Sequence, residues 1–350
     1  MLDEGNVLST AITCIEYSLP AGGLSNEDIS ARFPTWLINP IAKKTGIVNR
    51  YICKPEECAS DLAVEAARKV FSTGIVSPAD VDFILFCTQS PDYLIPTTAC
   101  LIQSRLGIPS LAGALDINLG CSGFVYALGL CDGLIRSGQA TTILLLTGDT
   151  YSKYVAPDDR DLVLIFGDGA TATLLQSREA NEPLIGPYLY GTDGNGGENL
   201  ILRGSGARER HLECHAQREE RLYMDGNRMF QFAVNTVPVS VDALLHKANL
   251  SADAVDLFFF HQANGYMLEE IRNRLGIARD RVPFEATHTG NTVSSTIPIA
   301  MRKALDRGLI RNGAVIMLFG FGVGLSWAGT ILKWHSPGAG EVVQLAVGTA

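Results

Sequence analysis

Two rhythms of apolar and polar positions run along the chain. Short, mainly apolar stretches bounded by turn residues recur at 81–86, 142–147, 255–260 and 315–320, the pattern of strands buried on both faces. Between them, apolar positions return at helical spacing over 61–71, 123–137, 229–248, 267–275 and 297–305. The two parts of the chain echo each other. Val81-Asp82-Phe83-Ile84-Leu85-Phe86 returns as Val255-Asp256-Leu257-Phe258-Phe259-Phe260, Arg105-Leu106-Gly107-Ile108 returns as Arg274-Leu275-Gly276-Ile277, and 142–147 resembles 315–320. These matches keep their order at a common offset of about 170 residues, the mark of an internal duplication. The pattern predicts an α/β chain of two duplicated halves, 1–180 and 181–335, meeting near 178–183 and followed by a tail, 336–350. Strands alternating with helices predict right-handed crossovers, mainly parallel sheets covered on both faces, and chemistry at strand ends.

One run tests the soluble reading. Residues 314–332 carry no charge, and about twenty such residues can span a bilayer. Glycines at 320, 322, 324 and 329 interrupt the run, which predicts a strand, a tight turn and a second buried strand instead. The net charge of −9 argues against nucleic acid as a partner, because phosphate contacts need a surplus of Lys and Arg on one face. Eight cysteines show no paired C-x-x-C spacing, and the chain opens on acidic residues with no apolar leader, so a cytoplasmic protein with reduced thiols is expected. Segment 203–221 alternates Arg, Glu and His and reads as a charged loop or lid; His211, Cys214 and His215 within it raise a metal only weakly, and none is expected.

Three residues stand out for chemistry. Cys121 follows an apolar strand and opens the helix beginning at 122–123, where the dipole and free N–H groups favour a thiolate and lower its pKa. Cys14, Cys87, Cys100 and Cys131 read as buried inert thiols. His261 ends a buried strand, so its imidazole points toward a cleft, although a hydrogen-bonded core histidine would look the same. Asn291 lies in a turn that opens the next helix, where capping is its ordinary role. In the duplicated frame the loops holding Cys121 and Asn291 are counterparts, which draws all three residues together.

Together the motifs resemble a known family. Cys121 in Leu-Gly-Cys-Ser-Gly-Phe, His261 in His-Gln-Ala-Asn, Asn291 in Gly-Asn-Thr-Val-Ser-Ser, the run Phe166-Gly167-Asp168-Gly169-Ala170 and the run Gly320-Phe321-Gly322-Val323-Gly324 are similar to the β-ketoacyl-acyl-carrier-protein synthase III group of the thiolase superfamily. The resemblance runs from about Asn6 to Trp334. It implies a thiolase-like five-layered α-β-α-β-α fold, a homodimer paired through an edge strand, and decarboxylative Claisen condensation of an acyl thioester with a malonyl thioester. In that scheme Cys121 carries the acyl group, backbone N–H groups of Cys121 and Val323 form the oxyanion hole, and His261 and Asn291 hydrogen-bond the malonyl thioester carbonyl. Trp36 and Arg160 match a pair that sandwiches the adenine of coenzyme A, Asn227 matches a pantetheine contact, and Phe321 and Gly322 fall in the substrate-binding turn. Ile95 stands where many members place a phenylalanine that closes the acyl pocket across the dimer, and Tyr266 replaces a carrier-docking arginine, which together imply a specialised pathway. Acyl carrier protein, acyl-coenzyme A and a malonyl thioester are the implied partners, with no cofactor, membrane or nucleic acid. Docking an acidic carrier needs a basic patch, for which Arg272, Arg274, Arg279, Arg281, Arg302, Lys303, Arg307 and Arg311 are candidates. The rival of the same fold is a non-decarboxylating acyltransferase to an alcohol or amine; more distant rivals are a Cys-His-Asn hydrolase and a non-catalytic acyl-binding protein.

Overall fold

The computed structural model describes residues 7–209 and 221–335. In chain order they form β1 (Val7–Ser18), β2 (Gly23–Ser25), α1 (Asn26–Arg32), α2 (Ile38–Thr45), β3 (Asn49–Tyr51), α3 (Ala59–Ser72), β4 (Phe83–Cys87), α4 (Thr98–Leu106), β5 (Gly113–Ile117), α5 (Gly123–Arg136), β6 (Thr142–Asp149), α6 (Arg160–Val163) and β7 (Gly169–Ala180). There follow β8 (Ile185–Thr192), β9 (Leu200–Leu202), β10 (Leu222–Met224), α7 (Gly226–Lys247), β11 (Leu257–Phe260), α8 (Gly265–Leu275), α9 (Thr296–Asp306), β12 (Val315–Gly322) and β13 (Ser326–Lys333). The five amphipathic stretches each fall within one or two residues of α3, α5, α7, α8 and α9, apart from the first turn of α7, which starts three residues early.

Two sheets carry the architecture. One has the order β1-β7-β6-β4-β5 and the other β11-β12-β13-β8. In the sequence β4-β6-β7-β1 the first pair is parallel and the next two antiparallel, and β11-β12-β13-β8 repeats that series step for step. The uncharged run 314–332 is the hairpin of β12 and β13, and no helix among the described residues is long and apolar enough to cross a membrane.

The expectation of mainly parallel sheets is corrected: among the described residues only β4–β5, β4–β6 and β11–β12 pair in parallel. For β12 and β13 the cause is connection length. A parallel return needs a crossover of a dozen or more residues, usually a helix, whereas β13 follows β12 after three residues and must run back beside it.

Alternation along the fully buried strands sorts their side chains into layers. Ile84 and Phe86 on β4 face α3 and α4, while Leu85 and Cys87 face the middle of the molecule. There α5 and α9 lie between the two sheets, with Phe124, Leu128 and Ile135 of α5 and Ile297, Met301 and Ala304 of α9 in one core with Leu145 and Leu175 of the first sheet and Phe259 and Leu318 of the second. On the far side Phe258, Phe260 and Phe319 pack under α7 and α8. The order of layers is therefore α3/α4, sheet, α5/α9, sheet, α7/α8, the five-layered α-β-α-β-α fold.

Candidate active site

Cys121 sits on the turn between β5 and α5, with β12 pressed against it. A Cβ built on Gly322 would lie 2.5 Å from Cys121 Cβ and 2.8 Å from its Sγ, and one on Gly320 would lie 2.8 Å from both the Cys121 carbonyl oxygen and Ser122 Cα. These distances are shorter than any real contact, so the glycines of this run are required by close backbone approach. Ser122 Oγ lies 2.7 Å from Ser326 Oγ, and the Ser326 hydroxyl donates to the Val323 carbonyl at 2.8 Å, which fixes the 323–325 turn over the cysteine. The expectation of a lowered thiol pKa is corrected. Burial pushes Cys121 up to about 12, outweighing the pull of the Val323 and Cys121 N–H groups on the sulfur, while the charge of Asp149 adds to the rise. At neutral pH the resting group is a thiol. Two of the cysteines read as buried are also otherwise placed: Cys100 is exposed and Cys14 half-buried.

His261 follows the last residue of β11, and its N–H donates to the Phe319 carbonyl of β12 at 2.9 Å. The ring is 2% exposed, meets Phe321 edge-on with centroids 5.7 Å apart, and has Nδ1 2.7 Å from Thr296 Oγ1 at the start of α9. Burial lowers its pKa to about 3, against a smaller opposing effect of the Val293 carbonyl, so the imidazole is neutral. The rest of the His-Gln-Ala-Asn run is structural. Gln262 Nε2 donates to the Phe260 carbonyl and its Oε1 accepts from Glu285 N–H, while Asn264 Oδ1 caps α8 by accepting from Met267 N–H at 2.9 Å.

Asn291 is clamped by the chain around the Phe-Gly-Asp-Gly run. Its N–H donates to the Ile165 carbonyl at 2.9 Å, its carbonyl accepts from Gly167 N–H at 3.1 Å, and a side chain on Gly167 would meet the Thr289 carbonyl oxygen at 2.4 Å. Asp168 holds the same segment, accepting from the backbone N–H groups of Cys53 at 2.8 Å and Ser152 at 3.1 Å. The Asn291 side chain is oriented as well. Oδ1 accepts from Val293 N–H at 2.9 Å, so Nδ2 is the end left to donate. Val293 achieves this with φ at 55°, a left-handed conformation costly for a β-branched residue. Ser294 then ties the loop to the buried Asp149 carboxylate at the end of β6, whose other oxygen accepts from Gln89 N–H at 2.8 Å.

These groups open on one cavity of about 670 Å³, lined by Cys121, His261, Asn291, Phe321, Gly322 and Asn227, with Phe166, Met229 and Phe230 supplying apolar walls. Trp36 and Arg160 are not part of its wall. Trp36 stacks flat on Phe33 with centroids 3.9 Å apart, and the exposed Arg160 pairs with Asp161 at 3.1 Å. Ile95 is 87% exposed on the loop before α4 and is not part of the wall either. Much of the expected basic face is neutralised: Arg272 pairs with Glu269, Arg274 with Glu270, Arg281 with Asp253, Arg302 with Asp306, and Arg307 with Glu285. A second groove beside the cavity gathers Lys43, Lys44, Arg272 and Arg279, and Lys44 and Tyr266 border both. Lys43 and Lys44 were not singled out from sequence, although two adjacent lysines on an amphipathic segment were a usable signal. His211, Cys214 and His215 lie outside the described residues.

A buried thiol, a neutral imidazole and an oriented carboxamide at one cavity, on two sheets that repeat one topology, match the condensing enzymes of the thiolase class. A family model described as 3-oxoacyl-[acyl-carrier-protein] synthase III matches residues 115–194, and one described as the C terminal of that synthase matches 245–334. The β-ketoacyl-[acyl-carrier-protein] synthase III of Caldanaerobacter subterraneus subsp. tengcongensis is 34% identical over 320 residues, covering 90% of this chain and 95% of that protein. The synthase III 2 of Halalkalibacterium halodurans is 36% identical over 335 residues, covering 95% of this chain and 98% of its own. A crystal structure of a 3-oxoacyl-(acyl-carrier-protein) synthase III superposes with a TM-score of 0.91 at 44% identity, over 93% of this chain and 100% of that one. A priming β-ketosynthase from a polyketide biosynthetic pathway gives 0.86 at 28% identity, over 94% and 97%. The chain belongs to the β-ketoacyl-acyl-carrier-protein synthase III family, and is an acyltransferase of the ketosynthase type.

Because burial raises the thiol pKa, alkylation of Cys121 by iodoacetamide should keep accelerating as pH rises from 7 to 9, without levelling. Peptide mapping scores Cys121 apart from the exposed Cys100. A rate that reaches its plateau at or below pH 7.5 would show a stabilised thiolate instead.

Proposed function

We propose that Cys121 is the acyl carrier of a decarboxylative condensation in which His261 and Asn291 stabilise the malonyl-derived enolate. The observation that carries this reading is the pairing, at one cavity, of a neutral imidazole with a carboxamide whose oxygen is already engaged. In the first half-reaction Cys121 Sγ bonds to the carbonyl carbon of an acyl thioester. The developing oxyanion is received by the N–H groups of Cys121 and Val323, and the leaving thiolate departs with the proton of the Cys121 thiol. In the second, the bond between the malonyl methylene and its carboxylate breaks. Carbon dioxide leaves, and the electron pair moves into the thioester carbonyl, whose oxygen accepts from Asn291 Nδ2 and His261 Nε2. The enolate carbon then attacks the acyl carbon and Cys121 sulfur leaves, giving a 3-oxoacyl thioester. A neutral ring suits this step, since an imidazolium at that place would protonate the carbanion before it could attack.

Features of the surface support a reading of the acyl donor and of the assembly. β5 is an edge strand, and Leu115 on it is exposed, as are Leu111 in the turn before it and Tyr93, Leu94 and Ile95 on the loop before α4. Pairing of two copies through β5 would cover this set and bring Ile95 of one protomer to the acyl pocket of the other, where a side chain smaller than phenylalanine leaves room for medium or long acyl chains. The groove at the cavity mouth, where Lys43, Lys44 and Arg279 add to an Arg272 already paired with Glu269, suits an acidic carrier protein. Likeness to a priming ketosynthase supports a role in starting a specialised fatty-acid or polyketide-type chain.

Asn291→Ala should lower condensation by about two orders of magnitude, the ~3 kcal/mol typical of one lost oxyanion donor, while acyl-Cys121 still forms and accumulates in intact-mass spectra. Unchanged product formation with no malonyl thioester consumed would make the enzyme a simple acyltransferase. Reversing Lys43 and Lys44 to Glu together should raise KM about tenfold for a carrier-bound substrate and leave that for the coenzyme A thioester within about twofold. Equal effects on both would remove the docking role.

A further inference from the structure

The condensation proposed above, on which this inference rests, asks opposite things of one imidazole nitrogen. In acyl transfer a buried thiol has to lose its proton, so a bare His261 Nε2 is useful; in decarboxylation the same Nε2 has to carry hydrogen to donate to the enolate oxygen. A neutral ring meets both demands only by moving its proton between Nδ1 and Nε2, and the group bonded to Nδ1 decides whether it can.

That group is Thr296. Its Oγ1 lies 2.7 Å from His261 Nδ1 and donates to the Val293 carbonyl at 3.0 Å, and both side chains are buried, Thr296 at 3% exposure and His261 at 2%. A hydroxyl has one hydrogen and two lone pairs. Turned toward the Val293 carbonyl, it accepts from Nδ1–H and leaves Nε2 bare. Turned toward the ring, it donates to Nδ1 and places the proton on Nε2. A carboxylate in this place would only accept, and would hold the proton on Nδ1. Asn291 needs no such freedom, because Val293 N–H fixes its oxygen and its Nδ2 is a constant donor. We propose that Thr296 is a positioning residue whose hydroxyl lets the buried His261 present Nε2 as an acceptor in acyl transfer and as a donor in decarboxylation. Val293 joins the device from both ends of one residue, orienting Asn291 through its N–H and offering Thr296 its alternative acceptor through its carbonyl.

Thr296→Val tests this, with Thr296→Ser as the rescue. In the valine variant the hydroxyl that can donate to Nδ1 is gone, and the Val293 carbonyl that acts on the ring can only accept, so the proton is expected to stay on Nδ1. Acyl-Cys121 formation from an acyl-coenzyme A, followed by intact mass, should stay within about threefold of the parent enzyme. Carbon dioxide release from a malonyl-carrier thioester should fall about tenfold or more. Thr296→Ser should restore it, and ¹⁵N shifts of labelled His261 should show Nδ1 protonated in Thr296→Val and both tautomers in the parent. Thr296→Ala makes the same prediction if the valine variant does not fold. Equal loss of both half-reactions, unchanged carbon dioxide release in Thr296→Val, or no rescue by serine would overturn the role of Thr296. A parent enzyme that releases no carbon dioxide from any malonyl thioester would instead overturn the condensation reading, and this inference with it.

Discussion

The burial of α5 and α9 between two sheets is the constraint on which the site depends. Helices packed between Leu145 and Leu175 of one sheet and Phe259 and Leu318 of the other have little freedom to turn or slide, because interior packing at crystal-like density resists displacements of even a methylene. The N-terminal ends of both helices are thereby fixed, and with them Cys121 before α5 and Asn291 before α9. β11 and β12 pair in parallel directly over this layer, which brings His261 and the Gly320–Gly322 backbone to the same place. Cys121 meets His261 and Asn291, both more than a hundred positions further along the chain, because two copies of one strand-and-helix plan share their middle layer.

The same burial sets the charge state of the site. Removing groups from water disfavours whichever form is ionised, so it raises an acid and lowers a base. Cys121 is pushed up to about 12 and His261 down to about 3, leaving thiol and imidazole both neutral. A site of neutral groups in an apolar wall keeps its hydrogen bonds strong and offers a carbanion no ready acid. The cost falls on the nucleophile, which must lose a proton as it reacts.

Much of this was legible in the chain. Buried strands show as wholly apolar runs, and glycines inside the uncharged stretch 314–332 mark a hairpin rather than a membrane helix. The duplication shows in the echo of 81–86 at 255–260. What was not legible depends on distances that no local pattern carries. The antiparallel course of β13 follows from the three residues that join it to β12. The thiol pKa could not be read from the helix terminus alone, because the N–H groups that favour a thiolate compete with a desolvation that only the closed fold supplies. Trp36 stacks on Phe33, a neighbour three residues away. Most of the arginines that form a basic row in sequence are each met by a carboxylate one to four residues away or across a loop. Val293 lies inside the Gly-Asn-Thr-Val-Ser-Ser run and Thr296 directly follows it, but the run shows only Asn291 as chemistry; the importance of the other two lies in where a hydroxyl and one peptide fall beside His261 and Asn291.

The assignment of Cys121 as acyl carrier in a condensing cavity is tested most directly by charging the protein with an acyl-coenzyme A, mapping the adduct by peptide mass spectrometry, and then adding a malonyl thioester. A single acyl adduct on Cys121, discharged only with release of carbon dioxide and appearance of a 3-oxoacyl thioester two carbons longer, is the expected result. An adduct on another cysteine, or discharge of acyl-Cys121 to water, an alcohol or an amine with malonyl thioester untouched, would contradict it.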